Sequence, residues 1–240
     1  MKSTIKSPKQ LLSFHGDIQV KEKYLERLRQ HKIADQILQG ATGQDGKGCA
    51  VWCTLNKYDH KAYENELGIP MILARLEDRI FEGLSIEESR DFPINFLTAI
   101  PIGKDLKHIY KHFFIWMLVD EKDGVIKFAK TDNQRTAISN VAELLKKSIL
   151  EKVTADEFRE VGKVSRNAAA DAAAYAADAA AYAADAAAYA ADAAAYAAAA
   201  AAAAAYAADA AAAAYDAAAD ARKAFYSKAA TKLIELLKAA

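Results

Sequence analysis

Six side chains carry most of the chemistry open to this sequence: Cys49, Cys53, His15, His60, His108 and His112. Cys49 and Cys53 stand four apart, and His108 and His112 repeat that spacing, so each pair shares one face wherever its segment is helical. Two such pairs on facing helices could close a tetrahedral site. That makes Cys49, Cys53, His108 and His112 the candidate metal ligands and zinc the candidate ion. The competing use is plainer, since free cysteines are commonly buried as small apolar groups.

A second chemistry starts from Cys49 alone. It follows Gly46, Lys47 and Gly48, and a thiol that opens a helix after a glycine loop, with a lysine close by, has its thiolate stabilised. His60, next to Asp59, and His15, next to Asp17, are the candidate bases of such a thiol enzyme; the alternative for each is a capping or surface histidine. The same loop departs from a phosphate-binding P-loop, with Ala41 where the first glycine is needed and Gly48 where Ser or Thr is needed. A bare glycine-rich turn could still cradle an anion.

Helices must position these residues. Ile72, Leu73, Leu76, Ile80, Phe81 and Leu84 recur at three- and four-residue spacing and predict an amphipathic helix over 71–84. Tyr24, Leu25, Leu28 and Ile33 predict a half-buried one over 20–35. Residues 40–48 hold four glycines, so a loop is expected there with positive φ at some position. Ser85 with Glu88, and Thr154 with Glu157, read as capping boxes. Pro93 and Pro101 are expected to bracket a separate short helix over 94–100. The dense run at 113–119 fits a core helix or one strand of a hairpin with 125–129; the unbroken pattern through His108, Tyr110 and Phe114 favours the helix. Residues 131–149 form a further expected helix.

The chain beyond residue 167 is of another kind. Asp171, Tyr175, Asp178, Tyr182, Asp185, Tyr189, Asp192 and Tyr196 alternate at spacings of four and three, with alanine between them. Alanine has the best helix propensity and neither Gly nor Pro follows Gly162, so 168–240 is expected to be helical with one Asp/Tyr heptad stripe. A seam of unpaired carboxylates is too costly to bury, so the stripe faces water and the alanine faces meet other helices, as in a coiled coil. Leu233, Leu236 and Leu237, with Phe225 and Tyr226 upstream, form a Leu-rich anchor for a groove or a second chain. The expected fold class is therefore mainly α, with a helical globular domain at 1–166 and an Ala-rich helical repeat tail at 167–240.

Composition narrows the function classes. The net charge is zero, which gives nucleic-acid binding no support. Two cysteines four residues apart are no disulfide framework, and the longest uncharged stretch, at 193–208, is nearly all alanine and too short for a membrane span. These features point to a cytoplasmic chain without a membrane partner.

The strings FHGD (14–17), GKGCAV (46–51), CTL (53–55), YDH (58–60), ELGIP (66–70) and LARLED (73–78) together resemble a group of uncharacterised bacterial and phage proteins, which also tend to end in an Ala-rich tail. In that group the residue before the second cysteine is often glycine, where this chain has Trp52. The resemblance implies no activity. Two functions follow from the residues themselves. One is a non-catalytic interaction or scaffold protein that self-associates, or docks on another protein, through its Ala-rich tail. The other is a small Cys/His thiol enzyme or zinc-binding protein centred on the 40–53 loop.

Overall fold

The computed structural model describes residues 10–129, 131–161 and 219–240, and it is all-α, with no strand among these residues. The helices are α1 (Ile18–Ile33), α2 (Ala50–Leu55), α3 (Ala62–Leu67), α4 (Met71–Gly83), α5 (Ile86–Ala99), α6 (Ile109–Val119), α7 (Asp132–Leu150) and α8 (Ala219–Lys238). Residues 155–161 are also helical. The Asp/Tyr stripe at 171–196 lies outside the described residues.

Helix α4 is the centre of the packing, in contact with α2, α3, α5, α6 and α8. Its apolar positions do not stop at one stripe: Met71, Ile72, Leu73, Ala74, Leu76, Ile80 and Phe81 are all buried, and so are the acids Glu77 and Asp78. Arg75, Arg79 and Glu82 keep what solvent contact the helix has, so Glu77 and Asp78 carry charge on its covered faces. Its buried acids are therefore the first structural pointer to a site.

Both expected capping boxes form. Ser85 and Glu88 open α5 reciprocally, and Thr154 and Glu157 exchange the same bonds before residues 155–161. The break expected at Pro93 does not occur: α5 runs from Ile86 to Ala99 with Pro93 inside it. Proline removes one backbone donor there, but Pro93, Phe92, Phe96 and Leu97 are all buried, and that packing holds the helix together. Residues 113–119 belong to α6, and Val125–Phe128 is a 3-10 turn, so the helix forms in place of the hairpin.

The Leu-rich end docks on its own chain. Helix α8 packs on α4, α5 and α6 and places Phe225, Tyr226, Leu233 and Leu237 in the same core as the earlier helices, while Leu236 stays partly buried. The Tyr226 ring lies on Gly83, where a Cβ would fall 2.2 Å from ring atom Cδ2. Ser227 hydrogen-bonds Glu88, and Lys228 pairs with Asp123 at 2.6 Å. The last helix of the compositional tail is thus built into the domain that precedes it.

Candidate functional site

The loop before α2 delivers Cys49 to α4. Gln39 Nε2 donates to the carbonyls of Phe81 at 2.6 Å and Leu84 at 3.0 Å, and the Gly40 N–H donates to Glu82 Oε2 at 2.8 Å. These bonds fasten the loop to the end of α4. Leu38 N–H reaches Gly48 O, Gly48 N–H reaches Gln36 O, and Cys49 N–H reaches Ala41 O, all within 2.9 Å. The glycines serve Trp52: a Cβ at Gly43 would lie 2.1 Å from its indole Nε1 and one at Gly48 2.6 Å from its Cδ2. Gly43 also has φ of 109°, the left-handed region expected for this loop. Trp52 therefore packs against the loop.

Cys49 is the residue preceding α2, and its thiol meets two acids of α4. Cys49 Sγ and one carboxylate oxygen each from Asp78 and Glu82 all lie within 4.8 Å of one another. Asp78 and Glu82 are four apart and share a face of α4. Cys49 and Asp78 are buried, at 1% and 9% exposure, and Glu82 is the most accessible of the three.

Asp78 divides its two oxygens. Oδ2 accepts from the Tyr58 hydroxyl and from His60 Nε2, each at 3.0 Å. Oδ1 is buried with no hydrogen-bond partner. Behind it, the fully buried Glu77 accepts from the Tyr63 hydroxyl at 2.7 Å on Oε2, and its Oε1 is likewise unpartnered. Burial, then the neighbouring charge of Asp78, holds the Glu77 carboxyl well above the usual carboxylate range despite that hydrogen bond.

The thiols do not behave as a nucleophile needs. Burial first, then the charge of Asp78, pushes the Cys49 thiol up, and the backbone N–H groups of Trp52 and Val51 only partly oppose this. Lys47 is exposed. The activation expected from Lys47 and the glycine loop is therefore reversed: the geometry favours a protonated Cys49 among acids. Cys53 donates to Gly48 O at 3.2 Å, and burial pushes its thiol up to about 12. It is a structural tie between α2 and the loop.

His60 joins this cluster through Asp78, whereas His15 bonds the Asn65 carbonyl at 3.1 Å. The four-ligand set of Cys49, Cys53, His108 and His112 does not assemble. The two cysteines ride with α2 against α1 and α4, while His108 and His112 open α6, which packs on α7. Among the described residues, the group of three or more His, Cys, Asp or Glu donors is Cys49, Asp78 and Glu82.

Tyr58 and His60 also line a cleft of about 500 Å³, together with Lys61, Glu64, Met71 and Arg75. The Glu64 carboxylate accepts from Met71 N–H at 3.1 Å, which caps the start of α4. The His60 and Asp78 side chains are 16% and 13% exposed; His60 lines the cleft, and Asp78 bonds it from outside the lining.

No family model matches the chain, and neither the curated proteins nor the solved structures compared with it give a match.

Proposed function

We propose that the chain acts on a small molecule held in this cleft, with His60 as the group that exchanges a proton with it. The observation that carries the reading is the shared oxygen: Asp78 Oδ2 receives both His60 Nε2 and the Tyr58 hydroxyl at the cleft wall. A carboxylate only accepts, so this bond keeps the proton on Nε2 and leaves Nδ1 as the ring's acceptor. The arrangement has the logic of a carboxylate-oriented histidine base, and a cleft of this volume suits a small organic substrate. Nδ1 would take a proton from water or a substrate hydroxyl as the oxygen attacks an ester or amide carbonyl. The leaving group would then receive that proton.

Three of the strings that carry the resemblance to the bacterial and phage group, at 46–51, 58–60 and 73–78, contain Cys49, Tyr58, His60 and Asp78. Two unpaired buried thiols suit a reducing, cytoplasmic setting. No helix among the described residues is long and apolar enough to cross a membrane.

The test is turnover of a panel of small esters and amides by the full chain. His60→Gln and Asp78→Asn should each lower the rate by roughly 10²–10⁴, the usual contribution of a positioned base. Cys49→Ser should keep it, which separates this reading from a thiol enzyme. A panel without turnover, or a His60→Gln variant as fast as the parent, would falsify it.

A second reading, self-association or docking on a partner protein through the Ala-rich segment, is supported by the heptad spacing of Asp171 to Tyr196. The anchor it would have used, Leu233 with Leu237, is already taken up by the chain's own core. Light scattering on the full chain decides it, since a monomer at high concentration removes self-association.

A further inference from the structure

Behind the cleft wall, α2 and α4 bring a thiol and two carboxylates to one point. We propose that Cys49, Asp78 and Glu82 bind one divalent metal ion of the zinc class, and that the ion pins the start of α2 to α4.

Three observations carry this. The three donor atoms already lie within 4.8 Å of one another, and a tetrahedral ion needs them roughly 3.5 Å apart, so small side-chain movements would close the site. Independently, Asp78 Oδ1 is buried, in a residue only 9% exposed, and neither Tyr58 nor His60 reaches it; the Cys49 thiol is the donor beside this carboxylate. An orphaned carboxylate oxygen is costly in a protein interior, and a cation would satisfy it. The third is the pair of bonds on Asp78 Oδ2: ligating carboxylates are held in place by hydrogen bonds, and Tyr58 and His60 fix this one.

The donor set chooses the ion. One thiolate with two carboxylates suits zinc, whereas magnesium and calcium take oxygen ligands alone. As the sulfur–metal bond forms, Cys49 gives its proton to solvent, leaving three negative ligands on a doubly charged ion. The mutual repulsion of the cluster is then largely relieved. Glu82, the accessible member, offers the way in. Cys49 and Asp78 are buried and none of the three ligands lines the cleft; three protein donors leave the fourth tetrahedral position to water. The proposal shares Asp78 with the His60 reading, whereas Cys49 and Glu82 belong to the metal alone and separate the two.

The experiment uses the full chain, stripped by a chelator and titrated with zinc and with cobalt. One ion per chain should be retained through gel filtration, and cobalt should give a thiolate charge-transfer band. Cys49→Ser should abolish the band, while Cys53→Ser and His108→Ala keep it. Asp78→Asn and Glu82→Gln should each weaken binding ten-fold or more, and Tyr58→Phe about ten-fold, as loss of a partner that orients a ligand does. Glu82→Gln lies at the accessible rim and should keep native helicity by circular dichroism, so its affinity remains interpretable if a buried variant fails to fold. A parent chain that retains no ion overturns the proposal, as does a folded Glu82→Gln that binds like the parent. If the metal-free chain still turns over small molecules, the cleft reading stands without it.

Discussion

Replacing Gly83 by alanine sets two known effects against each other. Gly83 ends α4, and alanine in a helix is favoured over glycine by about 0.5–1 kcal/mol. The new Cβ, however, would lie 2.2–2.3 Å from three ring atoms of Tyr226, far inside contact distance. That ring is fully buried and cannot swing into solvent. Overpacking of this kind costs about 1–3 kcal/mol. Undocking α8 would expose Phe225, Tyr226, Leu233 and Leu237 at about 1.5–3 kcal/mol each, so the helix should shift rather than leave. The net expectation for Gly83→Ala is a loss of about 1–2 kcal/mol, or a Tm lower by roughly 2–8 °C for a chain of this size. Tyr226→Ala alone should cost about 3–5 kcal/mol. On that background the clash is gone and Gly83→Ala should become neutral or stabilising, giving a coupling of about 2 kcal/mol in a double-mutant cycle. Urea melts followed by circular dichroism measure all four proteins. A coupling below about 0.5 kcal/mol would show that Tyr226 does not sit on Gly83.

Two further outcomes test the fold. Leu233→Asp together with Leu237→Asp puts two carboxylates into fully buried positions, so α8 should detach and protease cleavage should appear between 162 and 240; a resistant double variant speaks against docking. His108 is held below its ordinary value of 6.5 by burial first, then by Lys111 and Lys107. The unfolded chain therefore takes up the proton before the folded one, so this part of the stability is present above pH 6.5 and is lost as pH falls below it. His108→Gln should flatten that decline between about pH 7 and 5, and an unchanged slope in urea melts would sink the assignment.

The helices were readable where apolar spacing and caps agreed, as at 71–84 and at the Ser85 box. At Pro93 the burial of Phe92, Phe96 and Leu97 outweighs the local tendency of proline to end a helix. At the site, Cys49 and His60 were visible as reactive types, but their organiser was not. Asp78 and Glu82, four apart on an amphipathic helix, look like an ordinary solvated face. The available signal was that Ile72, Leu73, Leu76, Ile80 and Phe81 spread around α4 and leave little room for water beside Glu77 and Asp78. The cysteines misled for a related reason. Spacing of four aligns two side chains only inside a helix, and Cys49 sits just before α2, so its thiol turns to α4 while that of Cys53 returns to the loop. Pairing with His108 and His112 required knowing which helices are neighbours, and spacing within each segment does not contain that.

The docking of α8 also bears on how the chain reaches its fold. The bond from Ser227 to Glu88 spans 139 residues, so during synthesis α4, α5 and α6 emerge long before the helix that covers them. Until then their apolar trough is open to any segment that can fill it. The last stretch made before α8, 168–218, holds only alanine, aspartate and tyrosine. A repeat tyrosine could enter the seat of Tyr226, but no leucine follows it to take the places of Leu233 and Leu237, and the nearby aspartates would be drawn out of water. The composition of that stretch keeps it from competing with α8 for the trough.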